Sequence, residues 1–225
     1  NWTSGYWAYG TEDPWTYPGN VYGTEVFEVN EKLRDRAVEL AETANLDNGT
    51  EANAAFRQLY NTTAARSLPA IVKCDALTSD NYFTGNTLGD YFSFYASMMT
   101  NGSATYCATA QEDNASLEAF TRLHTYGLAD YNRVIIMRSI SDFSRPPPSR
   151  ANDTVGFFND PQDGGHRLAY NNLPLAGMPI VEDILENWED VYYSGEKYAP
   201  DNYTGDLFNT LGGTPDFGKS SFEIA

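Results

Sequence analysis

Cysteine, histidine and positive charge are all scarce in this chain. Its 225 residues include two cysteines, two histidines and 14 lysines and arginines, against 31 aspartates and glutamates. His124 and His166 stand far apart, with no cysteine or carboxylate at ligand spacing, so no metal cluster is expected. The formal net charge of -17 repels phosphate backbones and anionic lipid, which excludes nucleic acid and acidic membrane surfaces as partners. A small neutral or cationic ligand is compatible with that field, although acidity also serves simply to keep a secreted protein soluble. No apolar run nears the roughly 20 residues that span a bilayer. The longest, Val134-Ile135-Ile136-Met137, is strand-sized. There is no nucleophile-elbow motif and no glycine-rich phosphate loop before a lysine, so motif chemistry alone implies no cofactor and no catalytic triad.

Glycosylation signals, by contrast, are abundant. Asparagine sequons occur at Asn1, Asn48, Asn61, Asn101, Asn114, Asn152 and Asn202. The opening residues Asn1-Trp2-Thr3 are polar and no leader is expected there. Many acceptors without a leader suggest a mature secretory product. In an oxidising compartment the pair Cys74 and Cys107 is expected to form a disulfide; two buried free thiols are the alternative.

Hydrophobic residues make up 41% of the chain, enough for one domain over residues 1–225. Residues 1–23, rich in Trp, Tyr, Gly and Pro, suit an irregular segment packed on the surface. Apolar residues from Val26 to Leu40 recur at helical spacing, which predicts a helix from a Thr24 cap to about Asn45. A short helix is expected over Ala54–Tyr60, then a buried strand over Pro69–Cys74 and a loop over Thr78–Gly85. A helix over Thr87–Thr100, a strand over Ala104–Thr109 and a helix over Glu112–Tyr126 follow. Arg133–Arg138 is the best strand candidate, apolar enough to be covered on both faces. A proline-rich loop leads to a long helical stretch around Ala169–Trp188, with Pro174 and Pro179 as candidate breaks. The residues from about Pro200 form either a surface tail or a clasping arm. Strands alternating with helices predict an α/β fold around a mixed, mostly parallel sheet, yet three strands are few for a complete one.

In parallel α/β sheets, ligands sit at the carboxyl ends of strands. Three polar clusters fall at such places: Ser79–Thr84, Gln111–Asn114 and Ser141-Asp142. Arg138-Ser139-Ile140-Ser141-Asp142 resembles the R-x-I-S-D segment of purine nucleoside phosphorylases and nucleosidases. Gln111-Glu112-Asp113 and Ser79–Thr84 resemble two further segments of those enzymes, in the same order. The fuller wording around Cys107–Ala115 and Met137–Pro148, with Gly23–Phe27, resembles the fungal purine nucleoside permease family from about Trp7 to Lys197. Asp80-Asn81 departs from the Gly-Asp usual in the phosphorylases, which puts the path of that loop in doubt.

The resemblance implies a three-layer α/β/α phosphorylase-like fold, present here as its carboxy-terminal part, with an amino-terminal fragment of the same precursor as partner. It implies a purine nucleoside as ligand, with phosphate as a candidate co-substrate, and leaves open a homo-oligomer. Asp142 matches the acid that neutralises the departing base, its rival roles being a loop cap or an Arg145 partner. Glu112 matches the glutamate on the ribose hydroxyls, against a simple helix-terminal charge. Phe83 and Thr84 match the segment that stacks on the purine, Phe83 being equally suited to plain core packing, and Ser141 stands beside the acid. Three functions remain: cleavage of purine nucleosides by phosphate or water, binding without chemistry in nucleoside uptake, and a secreted scaffold that has lost its site.

Overall fold

The computed structural model describes residues 4–8, 10–19, 21–206 and 209–212. Asn1, one of the expected glycan acceptors, lies outside them. The fold is α/β. Helices α1 (Glu31–Ala41), α2 (Glu51–Arg57) and α3 (Thr63–Arg66) precede strand β1 (Asp75–Ser79). Helix α4 (Asn86–Met99), strand β2 (Tyr106–Gln111), helix α5 (Asp113–Thr125), helix α6 (Thr154–Phe158) and helix α7 (Gly165–Glu186) follow. Strands β1 and β2 pair in parallel, joined through α4.

Helix α1 starts six residues later than its apolar spacing suggests, with Asn30 and not Thr24 as its cap. The Glu25 carboxylate accepts from the backbone N–H groups of Tyr22, Gly23 and Thr24 at 2.6, 2.8 and 3.0 Å, which folds that stretch into a turn. The cap is Asn30, whose Oδ1 accepts from the N–H groups of Lys32 and Leu33. Its Nδ2 donates to the carbonyls of Asn132 and Tyr198, so one buried amide ties three distant segments together. Helix α7 runs through both Pro174 and Pro179. Neither proline can donate to the carbonyl four residues back, but those carbonyls belong to Tyr170 and Leu175, which are exposed to water.

Two expected strands take no part in a ladder. The Pro69–Cys74 stretch carries no regular structure, and β1 begins only after it. Asp75 and Ala76 are exposed, so β1 has no apolar signature to reveal it. Arg133–Arg138 is likewise without a strand partner among the described residues, and its first residue closes a short 3-10 turn from Tyr131. It nevertheless buries both faces as expected. Val134 and Ile136 pack on the buried cluster of Leu117, Tyr131 and Tyr203. Ile135 and Met137 pack on Ala37, Ala41, Ala176 and Ile180, where α1 meets α7. This two-residue alternation is that of an extended chain.

The aromatic amino-terminal segment lies on α4, with Tyr6 and Trp15 against Tyr91 and the Tyr91 hydroxyl donating to the Pro14 carbonyl. The stretch after Pro200 folds back on the chain. Tyr203 is buried against Tyr131, and Lys32 pairs with Asp201.

Candidate ligand site

The carboxyl end of β1 runs into the Asp80–Gly85 loop, and the carboxyl end of β2 into the turn that starts α5. The Ser79 carbonyl accepts from the Glu112 N–H at 3.0 Å, so the two strand ends finish side by side. The third polar cluster reaches the same edge on the segment after Arg138. The Arg138 guanidinium grips the Asp113 carboxylate through Nε and Nη2 and also donates to the Gln111 carbonyl at 2.9 Å. Asp113 is buried at the first turn of α5, and its hydrogen bonds raise the Arg138 pKa above its ordinary value. Charge-assisted two-point pairing fixes direction as well as distance.

Ser141 and Asp142 are held from both sides. The Ser141 carbonyl oxygen rests on Gly165, the first residue of α7, where a Cβ would lie 2.2 Å away. The next residue, Phe143, donates its N–H to Gln162 Oε1 at 2.6 Å and accepts from Gln162 Nε2 at 3.1 Å. The buried Gln162 side chain therefore serves as a one-residue ladder. Phe143 also stacks on Tyr60 with ring centroids 4.2 Å apart. The Ser141 hydroxyl donates to the Asp142 carboxylate. Burial, and then the Asp142 charge, raise the pKa of the Tyr82 hydroxyl. Arg145, a candidate partner of Asp142, pairs instead with Asp90.

A cavity of about 1290 Å³ opens beside this loop. Ser141, Asp142 and Phe83 all line it, together with Thr78, Ser79, Asn81, Asp113 and Asn114. Phe83 stands edge-on to the buried Phe92 at 4.6 Å between centroids, so it serves core packing and the cavity wall at once. Glu112 and Thr84 are not on that wall. Glu112 is exposed in a left-handed conformation (φ 63°), just before α5, and caps nothing. Thr84 donates to the Ser144 carbonyl at 3.1 Å, which pins the two loops to each other. Among the described residues no group of histidine, cysteine and carboxylates could hold a metal ion.

Sequence reasoning missed Gln162, Gly165 and the Asp113–Arg138 pair. The Gly164-Gly165 doublet was the available signal for a close backbone approach. Cys74 and Cys107 are joined by a disulfide, with Cα atoms 5.9 Å apart. Asn48, Asn61, Asn101, Asn152 and Asn202 are exposed, whereas Asn114 is half-buried.

Comparison with known proteins supplies the family. A family model described as purine nucleoside permease matches residues 1–197. A protein named purine nucleoside permease from Candida albicans is 64% identical over all 225 residues, which cover 55% of its own length. A probable purine nucleoside permease of Schizosaccharomyces pombe is 40% identical over 182 residues, covering 80% of this chain and 51% of its own. The chain thus spans about half the length of the curated relatives it matches. No solved structure matches. Among the described residues, no helix is long and apolar enough to cross a membrane.

Proposed function

Because the chain belongs to the purine nucleoside permease family, we propose that it binds a purine nucleoside at the polar end of the central cavity. Asp142 and Ser141 meet the edge of the base, and Phe83 packs against the base itself. The observation that carries this reading is that those three residues line one cavity, on two loops tied together at Ser144. A nucleoside carries no charge, so the acidic field does not repel it. A carboxylate and a hydroxyl oxygen supply acceptors for the N–H groups of a base edge, and an aromatic ring suits its apolar surface.

The resemblance to the phosphorylases extends the proposal. In that reading the complete protein has a three-layer α/β/α fold, Asp142 protonates the departing base, and phosphate or water attacks the ribose. Glu112 would reach the ribose only by leaving its exposed turn. Binding without cleavage, in nucleoside uptake, is the second reading, favoured by the names of the relatives. The sequon density supports secretion of the chain.

The test is incubation of the natively sourced glycoprotein with inosine and adenosine, with and without phosphate. Free base released only with phosphate establishes phosphorolysis, and base released in its absence establishes hydrolysis. Binding heat without released base establishes binding alone, and neither heat nor base refutes the proposal. Phe83→Ala should weaken binding by up to about tenfold.

A further inference from the structure

The backbone from Leu68 to Cys74 and from Ile135 to Asp142 makes no backbone–backbone hydrogen bond with any described residue. Among the described residues strand β1 pairs only with β2, so its other edge is open to them too. All three stretches line the same cavity. A strand edge and extended stretches with unpaired N–H and C=O groups are a ready template for a further strand, so three of them around one space call for a partner that is itself backbone. The space borders buried core residues of four helices. Its walls include Ala37, Ala41, Ala176 and Ile180 from α1 and α7, and Met99 and Leu117 from α4 and α5. At about 1290 Å³ it exceeds the roughly 300–1,000 Å³ of a small-ligand site.

We propose that this slot receives at least one extended strand of polypeptide from outside the 225 residues, the counterpart of the portion of full-length relatives that this chain does not cover. The relatives carry about as much chain again beyond the matched part, which supplies the material. A second folded copy of this chain would present a surface, whereas the slot lies between helices and admits a thread. Ile135 and Met137 face one buried cluster and Val134 and Ile136 another, so a strand beside them is covered on both sides and is rich in Val, Ile and Leu. It hydrogen-bonds to Ile135–Ser141, at the usual spacing of about 4.8 Å. Where it passes Ser141 and Asp142 it closes the cavity down toward ligand size. The inference rests on the backbone accounting and stands whether or not the ligand is a nucleoside.

The full-length Candida albicans relative, identical at 64% of these positions, is the protein to test. Hydrogen exchange should show the amides aligned with Ile135–Ser141 protected by about 10³-fold or more relative to an unstructured chain. A photo-reactive residue placed at the position aligned with Met137 should form an adduct with the part of that protein beyond the match to this chain. Fast exchange of those amides overturns the proposal. So does an adduct to a second copy, an adduct within the matched portion, or no adduct at all.

Discussion

Cys107 is the one residue by which β2 outruns β1. Asp75 pairs with Tyr106 and Ala76 with Ala108, and the sulfur of the bypassed Cys107 is bonded to Cys74, just before β1. The bridge therefore sits on the only irregularity in the ladder and pins its register, which a two-stranded sheet with one exposed edge specifies weakly.

The bridge links residues 33 apart, which corresponds to about 3–4 kcal/mol in the chain-entropy account. A double Cys74→Ser, Cys107→Ser variant should lose that much in urea unfolding. A loss below about 1 kcal/mol would mean that the ladder holds without its staple.

Two glycines of α7 should respond to alanine in opposite directions. Gly165 already has helical dihedrals, but a Cβ there would lie 2.2 Å from the Ser141 carbonyl oxygen. Gly165→Ala should therefore cost about 1–3 kcal/mol and displace Asp142, lowering nucleoside affinity together with Tm. Gly177 lies inside the same helix with only Met137 Sδ near, at 3.9 Å. Gly177→Ala should gain about 0.5–1 kcal/mol from helix propensity and leave binding alone. Equal Tm shifts for both would refute the close approach at Ser141.

How far this was legible in the sequence follows from where the signals lie. Helices α4 and α5 carry apolar residues at helical spacing, with Gly102 and Gly127 as stops, and both form close to where that spacing places them. The Val134–Met137 run truly faces two clusters, but a ladder needs a neighbour, and pattern cannot supply one. Strand β1 was misplaced for the converse reason. It has a neighbour in β2 but an exposed start, so it pairs without any apolar pattern. At the site, Phe83 follows a paired strand, β1, whereas Ser141 and Asp142 follow the unpaired Arg133–Arg138 stretch, so position after a strand does not account for all three. The groups that hold them were not legible. Gln162 acts through a side-chain amide that mimics backbone, and the Asp113–Arg138 pair spans 25 positions in sequence.

Acid should weaken the contact between α1 and α7 first at Asp183. Burial alone raises the pKa of this carboxyl, but hydrogen bonds from the Tyr192 hydroxyl and the Arg36 guanidinium outweigh burial and lower it. A carboxyl with a depressed folded-state pKa stabilises the fold above its ordinary value of about 4 and loses that contribution as pH falls through the depressed value. Tyr192 shows the opposite sign. Burial, then Asp183, push its hydroxyl up to about 12, so its contribution is present below about 10 and is lost as pH rises toward the shifted value. Asp183→Asn should lower the urea midpoint at pH 7, and the gap to the native chain should narrow as pH falls below the ordinary carboxyl value of about 4. A gap that is constant with pH would show that Asp183 acts by shape alone.

Glycan placement should separate Asn114 from the other sequons. Asn48, Asn61, Asn101 and Asn152 are exposed, on turns or at helix ends, and oligosaccharide there meets only solvent. Asn114 is the second residue of α5, half-buried on the wall of the cavity. Its Oδ1 accepts from the Thr78 hydroxyl at 3.1 Å, and its own N–H donates back to that oxygen at 3.2 Å. An oligosaccharide on the Asn114 amide would have to leave through the cavity or break this pair, which joins β1 to the start of α5. Peptide mapping of natively sourced protein, with enzymatic deglycosylation in heavy-oxygen water, should thus find modified asparagine at several of the exposed sites and unmodified Asn114. Thr78→Val removes the hydroxyl and leaves the sequon intact. If Asn114 then becomes glycosylated in the secreted product, the Thr78 bond is what protects it. If the native protein already carries sugar at Asn114, this wall of the cavity is open to solvent and a nucleoside cannot be enclosed there.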